Sequence, residues 1–281
     1  MSEKKDQYIA AYIADYTHSE VVLSYALFMS NMLKKGLILL RIVDPKYTSE
    51  TTSEAEKRLR ELKTNIHLDN NNNVTYCAIK GNTKDILTTL PIALNVVTVI
   101  GSVDKYAHRK SPLSRKNVLR NFTECKTAFL LAQEPLKNTN ALRNIAFSID
   151  FKKESKDKFL WASYFSRFNN SFLHAFSPKY DDEFLRAKWY DNTKFLDKMF
   201  ASLNVKYEKH SIAKQQSQYL DIDVLQYAPT KDIGLLVSTT TKERDVMEYF
   251  IGVQEDKTII NEYKIPILYL NPREDLYVLC D

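Results

Sequence analysis

Residues 8–43 read YIAAYIADYTHSEVVLSYALFMSNMLKKGLILLRIV, and this stretch contains a complete strand–helix–strand signal. Tyr8–Ala14 has the apolar character of a buried strand, and Thr17–Glu20 forms a T-x-x-E pattern typical of a capping box at a helix start. Gly36 stands where a C-cap glycine is expected, and Leu37–Val43 follows as a second buried strand. Two buried strands joined by a helix predict a parallel βαβ unit.

The same alternation continues along the chain and then begins again. The first half further predicts a helix over residues 55–66, the strand Val74–Lys80, a helix over Lys84–Leu94, and the strands Val96–Gly101 and Thr127–Ala132. The second half predicts the strands Asn144–Asp150, Ser171–Phe176, Val205–Ile212, Ile233–Ser238 and Ile265–Leu270, with helices over Glu154–Arg167, Asp181–Ser202 and Gln215–Tyr227. The recurring order indicates a tandem duplication. We therefore predict an α/β protein of two Rossmann-like domains, residues 1–137 and 142–281, each a five-stranded parallel sheet with helices on both faces.

The composition excludes several classes of protein. The 281 residues contain only five glycines, all isolated, so neither a dinucleotide fingerprint nor a P-loop can be written. A net charge of +5 is too small and too mixed to indicate a nucleic-acid partner, and the longest apolar runs are too short to span a membrane. Three cysteines without metal spacing, and an N-terminus without a signal-peptide pattern, indicate a cytoplasmic protein.

The histidines provide no catalytic or metal-binding motif. The five of them are scattered and show no H-E-x-x-H or Cys/His spacing, so no metal site is expected. His18 lies beside Asp15 and Ser19, but proximity within one turn is not the geometry of a catalytic triad. A surface histidine is the simpler interpretation.

Several landmarks resemble the universal stress protein family. Ile145–Phe151 resembles the family's first strand, which ends in Asp, and Ile9–Ser19 resembles a version of it shortened by one residue. Gly81 matches a glycine after the third strand, and Ile265–Leu270 matches a closing strand led by Pro266. The resemblance covers nearly the whole chain twice. It implies an adenine-nucleotide site at the carboxyl ends of the strands, with Asp15 or Asp150 facing the base and the backbone of Val43 contacting adenine.

In the family, the phosphates lie on a G-x2-G-x9-G-S/T loop after the fourth strand, where small residues let backbone N–H groups approach. In the first half Gly101 occupies the first position, but Asp104, Ser114 and Arg115 replace the others. In the second half Ser238 and Thr241 stand at the first two positions, and Gly252 falls one residue late. Nucleotide binding in the family's manner is therefore doubtful in both halves.

A run of basic residues follows Gly101, and no acidic residue interrupts it between residues 105 and 120. Arginine and lysine can hold phosphate by charge where a glycine loop is missing. We hypothesise that this segment binds an anionic ligand, such as a nucleotide phosphate or a phosphorylated partner. A solvated basic surface is the alternative. Its basic residues are Lys105, His108, Arg109, Lys110, Arg115, Lys116 and Arg120.

We therefore expect a non-catalytic stress-response protein that binds a small anionic ligand weakly or regulates a protein partner. The alternative is an ATP-binding or other adenine-nucleotide-binding member with slow hydrolysis. An enzyme of the wider nucleotide-hydrolase group is disfavoured, because a Ser-Gly-Gly loop is absent after the first strand. The resemblance also implies pairing of the two domains within the chain, while homodimerisation stays open. The apolar surplus on Asp181–Ser202, around Phe184, Trp189 and Tyr190, indicates either an interface or deeper burial within its own domain.

Overall fold

The computed structural model describes residues 6–66, 73–122, 125–153, 155–212, 220–240 and 257–271. The chain divides into two compact units, Met1–Leu136 and Lys137–Asp281. Strands and helices alternate in both units, which confirms the predicted α/β class. None of the helices in the described ranges has the length and apolar character needed to cross a lipid bilayer.

The first unit is a parallel sheet with the strand order β3-β2-β1-β4-β5. Because its crossovers run outward on both sides of β1, their right-handedness places α1 and α2 on one face and α3 and α4 on the other. The order reverses between β1 and β4, and the crevice beyond their carboxyl ends is the usual ligand position in such sheets. The elements are β1 (Tyr8–Tyr12), α1 (Ser19–Leu33), β2 (Gly36–Val43), α2 (Thr52–Thr64), β3 (Val74–Lys80), α3 (Thr83–Ala93), β4 (Val96–Ser102), α4 (Arg115–Phe122) and β5 (Ala128–Ala132).

The second unit repeats this arrangement with parallel strands in the order β8-β7-β6-β9-β10. Its reversal point lies between β6 and β9, equivalent to the point between β1 and β4. The elements are β6 (Asn144–Ser148), α5 (Ser155–Asn169), β7 (Phe172–Pro178), α6 (Glu183–Ser202), β8 (Tyr207–Ile212), α7 (Leu220–Leu225), α8 (Ala228–Lys231), β9 (Leu235–Thr239) and β10 (Ile267–Leu270).

The central strands form the core of each unit. From Leu37 to Val43, β2 is buried without interruption, and β6 is buried from Ile145 to Ser148. This continuous burial arises because helices cover a parallel sheet on both faces, so the strands lack the alternation of a half-exposed sheet.

Both ends of α1 differ from the sequence prediction. Asp15, rather than Thr17, supplies the side-chain cap, because its Oδ1 accepts the Thr17 N–H at 2.8 Å and initiates the 3-10 turn Tyr16–His18 before α1. Lys34, rather than Gly36, takes the left-handed conformation that ends α1, with φ of 54°. Gly36 begins β2, where a Cβ would lie 2.6 Å from the Tyr8 ring. The predicted capping box and glycine C-cap were therefore wrong.

Other boundaries also differ from the prediction. The fourth strand extends to Ser102, and residues 115–120 lie on α4 rather than in a loop. The described part of the helix predicted over Gln215–Tyr227 consists of α7, and a separate short helix, α8, follows it. Pro229 lies in the first turn of α8, where its missing N–H costs no helical hydrogen bond.

Candidate functional site

The predicted ligand residues of the first unit lie around the carboxyl ends of β1, β2 and β4. Asp15 follows β1, Val43 ends β2, and Gly101 lies within β4. These elements therefore gather the predicted positions at one edge of the sheet. The contacts of each side chain decide what this edge can bind.

Asp15 caps the 3-10 turn that precedes α1. Its Oδ1 accepts hydrogen bonds from the Thr17 N–H and from Thr17 Oγ1, at 2.8 and 2.7 Å. Burial alone would raise the pKa of Asp15, but these two hydrogen bonds outweigh it and hold the pKa below its usual value.

Arg41 closes the end of β1. This residue is only 6% exposed, and its Nη1 donates to the carbonyl oxygens of Ile13, at 3.0 Å, and of Ala14. Its Nε donates to Glu50 Oε2 at 2.9 Å, which forms a nearly buried ion pair. A cation of the chain itself thus occupies the hydrogen-bond acceptors just beyond β1. From the sequence, Arg41 is predicted as part of a buried strand, and this role was not foreseen.

Tyr16 completes the cluster around Arg41. Its hydroxyl donates to Glu50 Oε1 at 3.0 Å, and the guanidinium groups of Arg41 and Arg58 lie 5.1 and 4.9 Å from the centre of its ring. Burial, together with the Glu50 carboxylate, raises the pKa of Tyr16 to about 12. The phenol therefore stays neutral and acts as a hydrogen-bond donor.

The backbone at the end of β2 is also engaged within the chain. The carbonyl oxygen of Val43 accepts the Gly81 N–H at 3.2 Å. Gly81 has a φ of +155°, a backbone conformation that residues with a side chain rarely adopt. The next residue, Asp44, accepts from the N–H and Oγ1 of Thr83 at 2.9 and 2.8 Å. Burial opposes ionisation of Asp44, but these hydrogen bonds prevail and lower its pKa.

Among the described residues, Gly101 allows neighbouring side chains to pack closely against the backbone of β4. It lies inside β4, and a Cβ there would meet Leu131 Cδ2 and Phe122 Cζ, both at 3.0 Å. Asp104, at the second glycine position of the family loop, accepts the Tyr106 N–H at 2.8 Å, and its Oδ2 lies 3.8 Å from His18 Nε2. A carboxylate therefore lies at the end of β4, where phosphate would require donors.

The basic segment (residues 105–120) is folded upon itself. Asn117 Nδ2 donates to the carbonyl oxygens of Arg109 and Ser111 at 2.9 and 2.8 Å, and the buried Ser114 hydroxyl donates to Arg109 O at 3.4 Å. Arg120 donates to the Tyr47 hydroxyl. The exposed basic residues of this segment are Lys105, His108, Arg109, Lys110, Arg115, Lys116 and Arg120.

In the second unit, Asp150 belongs to a buried ion pair at the end of β6. Lys158 is 1% exposed, and its Nζ lies 3.0 Å from Asp150 Oδ2 and 2.8 Å from Ser148 Oγ. Ser155 Oγ donates to Asp150 Oδ1 at 2.6 Å, and the Lys152 N–H donates to the same oxygen at 2.8 Å. Burial would raise the pKa of Asp150, but Lys158 and these hydrogen bonds lower it.

The network continues to β9. Ser148 Oγ donates to Asp221 Oδ1 at 2.7 Å, and Ser238 Oγ donates to Asp221 Oδ2. Ser238, a predicted phosphate-loop position, thus directs its hydroxyl to a buried carboxylate on α7. Gly252 and Thr241 lie outside the described residues. The sequence analysis missed Lys158, although a lysine beside Phe159 on the apolar side of a helix was a detectable signal.

A third cluster of polar side chains lies on β7 and β8 of the second unit. Strand pairing sets His174 beside Glu208, and His210 lies two residues further along β8 on the same face. His174 Nδ1 lies 2.9 Å from His210 Nε2, and Glu208 Oε2 lies 4.0 and 3.5 Å from these two nitrogens. The pKa of His174 is lowered to about 4. Burial is the largest cause, and the neighbouring His210 and Lys231 contribute further. No local motif joins residues 174 and 210, so the sequence analysis did not find this group.

The apolar surplus on α6 is partly exposed. Phe184 and Tyr190 are 64% and 58% exposed, whereas Asn192, Leu196 and Phe200 face the interior. Deeper burial within the same unit, one of the two alternatives from sequence, therefore does not apply to Phe184 and Tyr190.

Comparisons with known proteins give a likeness in structure. No protein-family model matches the chain, and no curated protein matches its sequence. A universal stress protein from Archaeoglobus fulgidus is similar with a TM-score of 0.71 at 11% identity, over 95% of this chain and 97% of that one. A protein assigned to the same group, from Pseudomonas aeruginosa, gives 0.62 at 15% identity, over 97% and 95% of the two chains.

A functionally unknown protein from Pseudomonas aeruginosa gives a TM-score of 0.62 at 14% identity, over 97% of this chain and 95% of that one. Likeness at such low identity concerns the fold. The resemblance stated from the sequence is confirmed at that level, and it extends over nearly the whole chain.

Proposed function

Starting from the universal stress protein fold, we propose that this chain is a non-catalytic regulatory protein. Its strand-end crevices are closed to adenine nucleotides. Contact with anionic ligands, or with phosphorylated partners, is made by the basic segment of the first unit. The predicted cytoplasmic location, and the pairing of the two domains within the chain, belong to the same proposal.

The observation that carries the proposal is that charged side chains of the chain itself form hydrogen bonds and ion pairs at the strand ends. In the first unit, a base placed beyond β1 would have to displace Arg41 from two carbonyl oxygens and from Glu50. In the second unit, Lys158 would have to leave Asp150 and Ser148. Breaking a buried ion pair costs about 3–5 kcal/mol, which corresponds to a loss of roughly 100-fold to several thousand-fold in affinity.

Charge at the phosphate position supports the same conclusion. Asp104 keeps a carboxylate at the end of β4, and Gly101 is used for packing against Phe122 and Leu131. The lysine and arginine side chains of the basic segment are exposed to solvent. Exposed cations give weak and salt-sensitive anion binding, because solvent screens their attraction.

Thermal unfolding with added anions tests the proposal. We expect ATP, ADP and inorganic pyrophosphate to give small melting shifts of similar size, because the phosphate groups alone are contacted, and 0.5 M NaCl to abolish them. Reversing charge with Arg109→Glu/Lys110→Glu should remove the shifts. The matched control Lys57→Glu/Arg60→Glu, which makes the same charge change on the exposed side of α2, should keep them.

The adenine-nucleotide alternative gives the opposite results. Specific binding at 100 times the Kd would stabilise the protein by about 2.7 kcal/mol, which is a shift of several degrees. Such a shift with ATP, absent with pyrophosphate, would overturn the proposal, as would adenine nucleotide detected by mass spectrometry in the purified protein. Slow ATP hydrolysis lost on Asp15→Ala would establish the alternative directly.

A further inference from the structure

We propose that His174, Glu208 and His210 form a binding site for one divalent transition-metal ion, with Zn²⁺ as the expected occupant. The site lies on one face of β7 and β8 in the second unit. It is separate from the strand-end crevices and from the basic segment, so it goes beyond the proposed function.

The spacing of the three ligand atoms suits a tetrahedral ion. Their pairwise distances are 2.9 Å between the two ring nitrogens, and 3.5 and 4.0 Å from these nitrogens to Glu208 Oε2. Zn²⁺ binds such ligands at about 2.0–2.2 Å, so two ligands on a tetrahedral ion lie roughly 3.4 Å apart. An ion therefore requires the two rings to separate by about half an ångström and the carboxylate to approach His174 by a similar amount, whereas its distance to His210 already fits.

The strands hold the ligands in place before any ion binds. Parallel pairing fixes His174 beside Glu208 and Phe176 beside His210, so the backbone positions follow from the sheet register. The two imidazole rings meet edge to edge through these nitrogens with their centres 5.2 Å apart, and the ring of Phe176 lies 4.7 Å from that of His210. Little conformational entropy is then lost on binding.

The surroundings of His174 favour the form of the ring that binds a metal. Its Nε2 lies 3.3 Å from Asn144 Oδ1, an oxygen that accepts the ring proton and so leaves the lone pair of Nδ1 directed at the cluster. A hydrogen-bonded outer partner of this kind is a regular feature of histidine ligands.

The donor set selects among metals. Two imidazole nitrogens and one carboxylate oxygen are a ligand set that Zn²⁺ uses with a fourth position left open, whereas Ca²⁺ and Mg²⁺ prefer oxygen ligands. Lys231 opposes binding, since its Nζ lies 3.6 Å from Glu208 Oε2. The ion must displace this ammonium group, so removing the lysine charge should strengthen binding. Among the described residues, this is the group of three that brings such ligand atoms within 4.8 Å of one another.

Calorimetric titration of the untagged full chain with Zn²⁺ tests the site, with Co²⁺ as a spectroscopic probe. We expect one ion per chain and the intense visible absorption of tetrahedral Co²⁺. Glu208→Gln and His210→Ala should each weaken Zn²⁺ binding by at least about 100-fold, beyond the effect of losing an outer partner. Lys231→Gln should strengthen it. His108→Ala, an exposed histidine of the first unit, is the matched control and should leave it unchanged.

Glu208 is half-exposed, so Glu208→Gln tests the site even if His210→Ala fails to fold. Circular dichroism of the metal-free variants establishes that their folds are intact. The proposal is overturned if the wild-type chain binds no Zn²⁺. It is equally overturned if Glu208→Gln and every folded ligand variant bind as tightly as the wild type, since the ion would then lie elsewhere.

Discussion

Replacing Lys158 with methionine gives the sharpest measure of the network at the end of β6. Methionine keeps most of the volume of the side chain but removes the ammonium group that lies 3.0 Å from Asp150 Oδ2. Lys158 is 1% exposed, and the carboxylate side chain of Asp150 is 18% exposed, so water replaces little of the lost interaction. The substitution therefore leaves an anion at a nearly buried position without its cation.

Removing one partner of a buried ion pair costs about 3–5 kcal/mol. We expect the lower part of this range, because the Ser155 hydroxyl and the Lys152 N–H still donate to Asp150. For a domain of about 150 residues, 3 kcal/mol lowers the melting temperature by roughly 6–12 °C. The measurement is the unfolding midpoint in urea and by calorimetry, with Lys194→Met on the exposed side of α6 as the control.

The pH dependence distinguishes an electrostatic loss from a packing defect. The pKa of Asp150 is lowered in the folded protein, so its stabilising contribution is complete above the unfolded pKa of about 3.9 and is lost as the pH falls through the folded pKa. Without Lys158, the pKa of Asp150 rises from its wild-type value, because the hydrogen bonds from Ser155 and Lys152 are then left to oppose the effect of burial. The difference between variant and wild type should therefore be largest at pH 7 and should narrow towards pH 4.

A loss that stays constant from pH 7 to pH 4, or one below about 1 kcal/mol, would refute this reasoning. The double variant Asp150→Asn/Lys158→Met should recover part of the stability at pH 7, because no uncompensated charge is left at that position.

Two further substitutions test the backbone geometry. Gly234→Ala should prevent folding of the second unit or lower its stability by more than about 3 kcal/mol. The reason is that the new Cβ would lie 1.5 Å from the carbonyl oxygen of Ala141. A soluble variant with a wild-type melting curve would contradict this expectation. Lys34→Gly should raise the free energy of unfolding in urea by up to about 1 kcal/mol, because Lys34 holds φ of 54° at the end of α1. The control Lys57→Gly, an exposed position inside a helix, should lower the free energy of unfolding. A loss at both positions would argue against left-handed strain at Lys34.

The fold was predictable from sequence because its signal is local and repeated. The continuous burial of β2, between polar turns, already indicates a parallel sheet with covered faces, and the order of elements recurs in the second half. Helix ends were predicted less well. The sequence places a glycine, Gly36, shortly after the last helical residue, which is the usual pattern of a left-handed helix end. In the structure, Lys34 takes that left-handed conformation instead. The real constraint on Gly36 is the Tyr8 ring, which comes from another strand.

The polar clusters were largely hidden in the sequence. Asp15 and Asp150 were identified as candidates, but their partners depend on which side chains the sheet brings near. Lys158 reaches Asp150 across the first turn of α5, and Asp221 reaches Ser148 from 73 residues away. The spacing of His174 and His210 follows from the register between β7 and β8 alone. Such contacts depend on how the helices and strands pack together in three dimensions and cannot be obtained from local spacing.

The filling of the strand ends by Arg41 and Lys158 has a consequence for how stability is supplied. A protein that holds a nucleotide in this crevice gains stability with the logarithm of the free nucleotide concentration. Here the groups at the strand ends are covalently part of the chain and are present at a constant effective concentration. We expect the folded population to be the same in energy-rich and energy-starved cells, so the protein would remain intact when ATP is depleted.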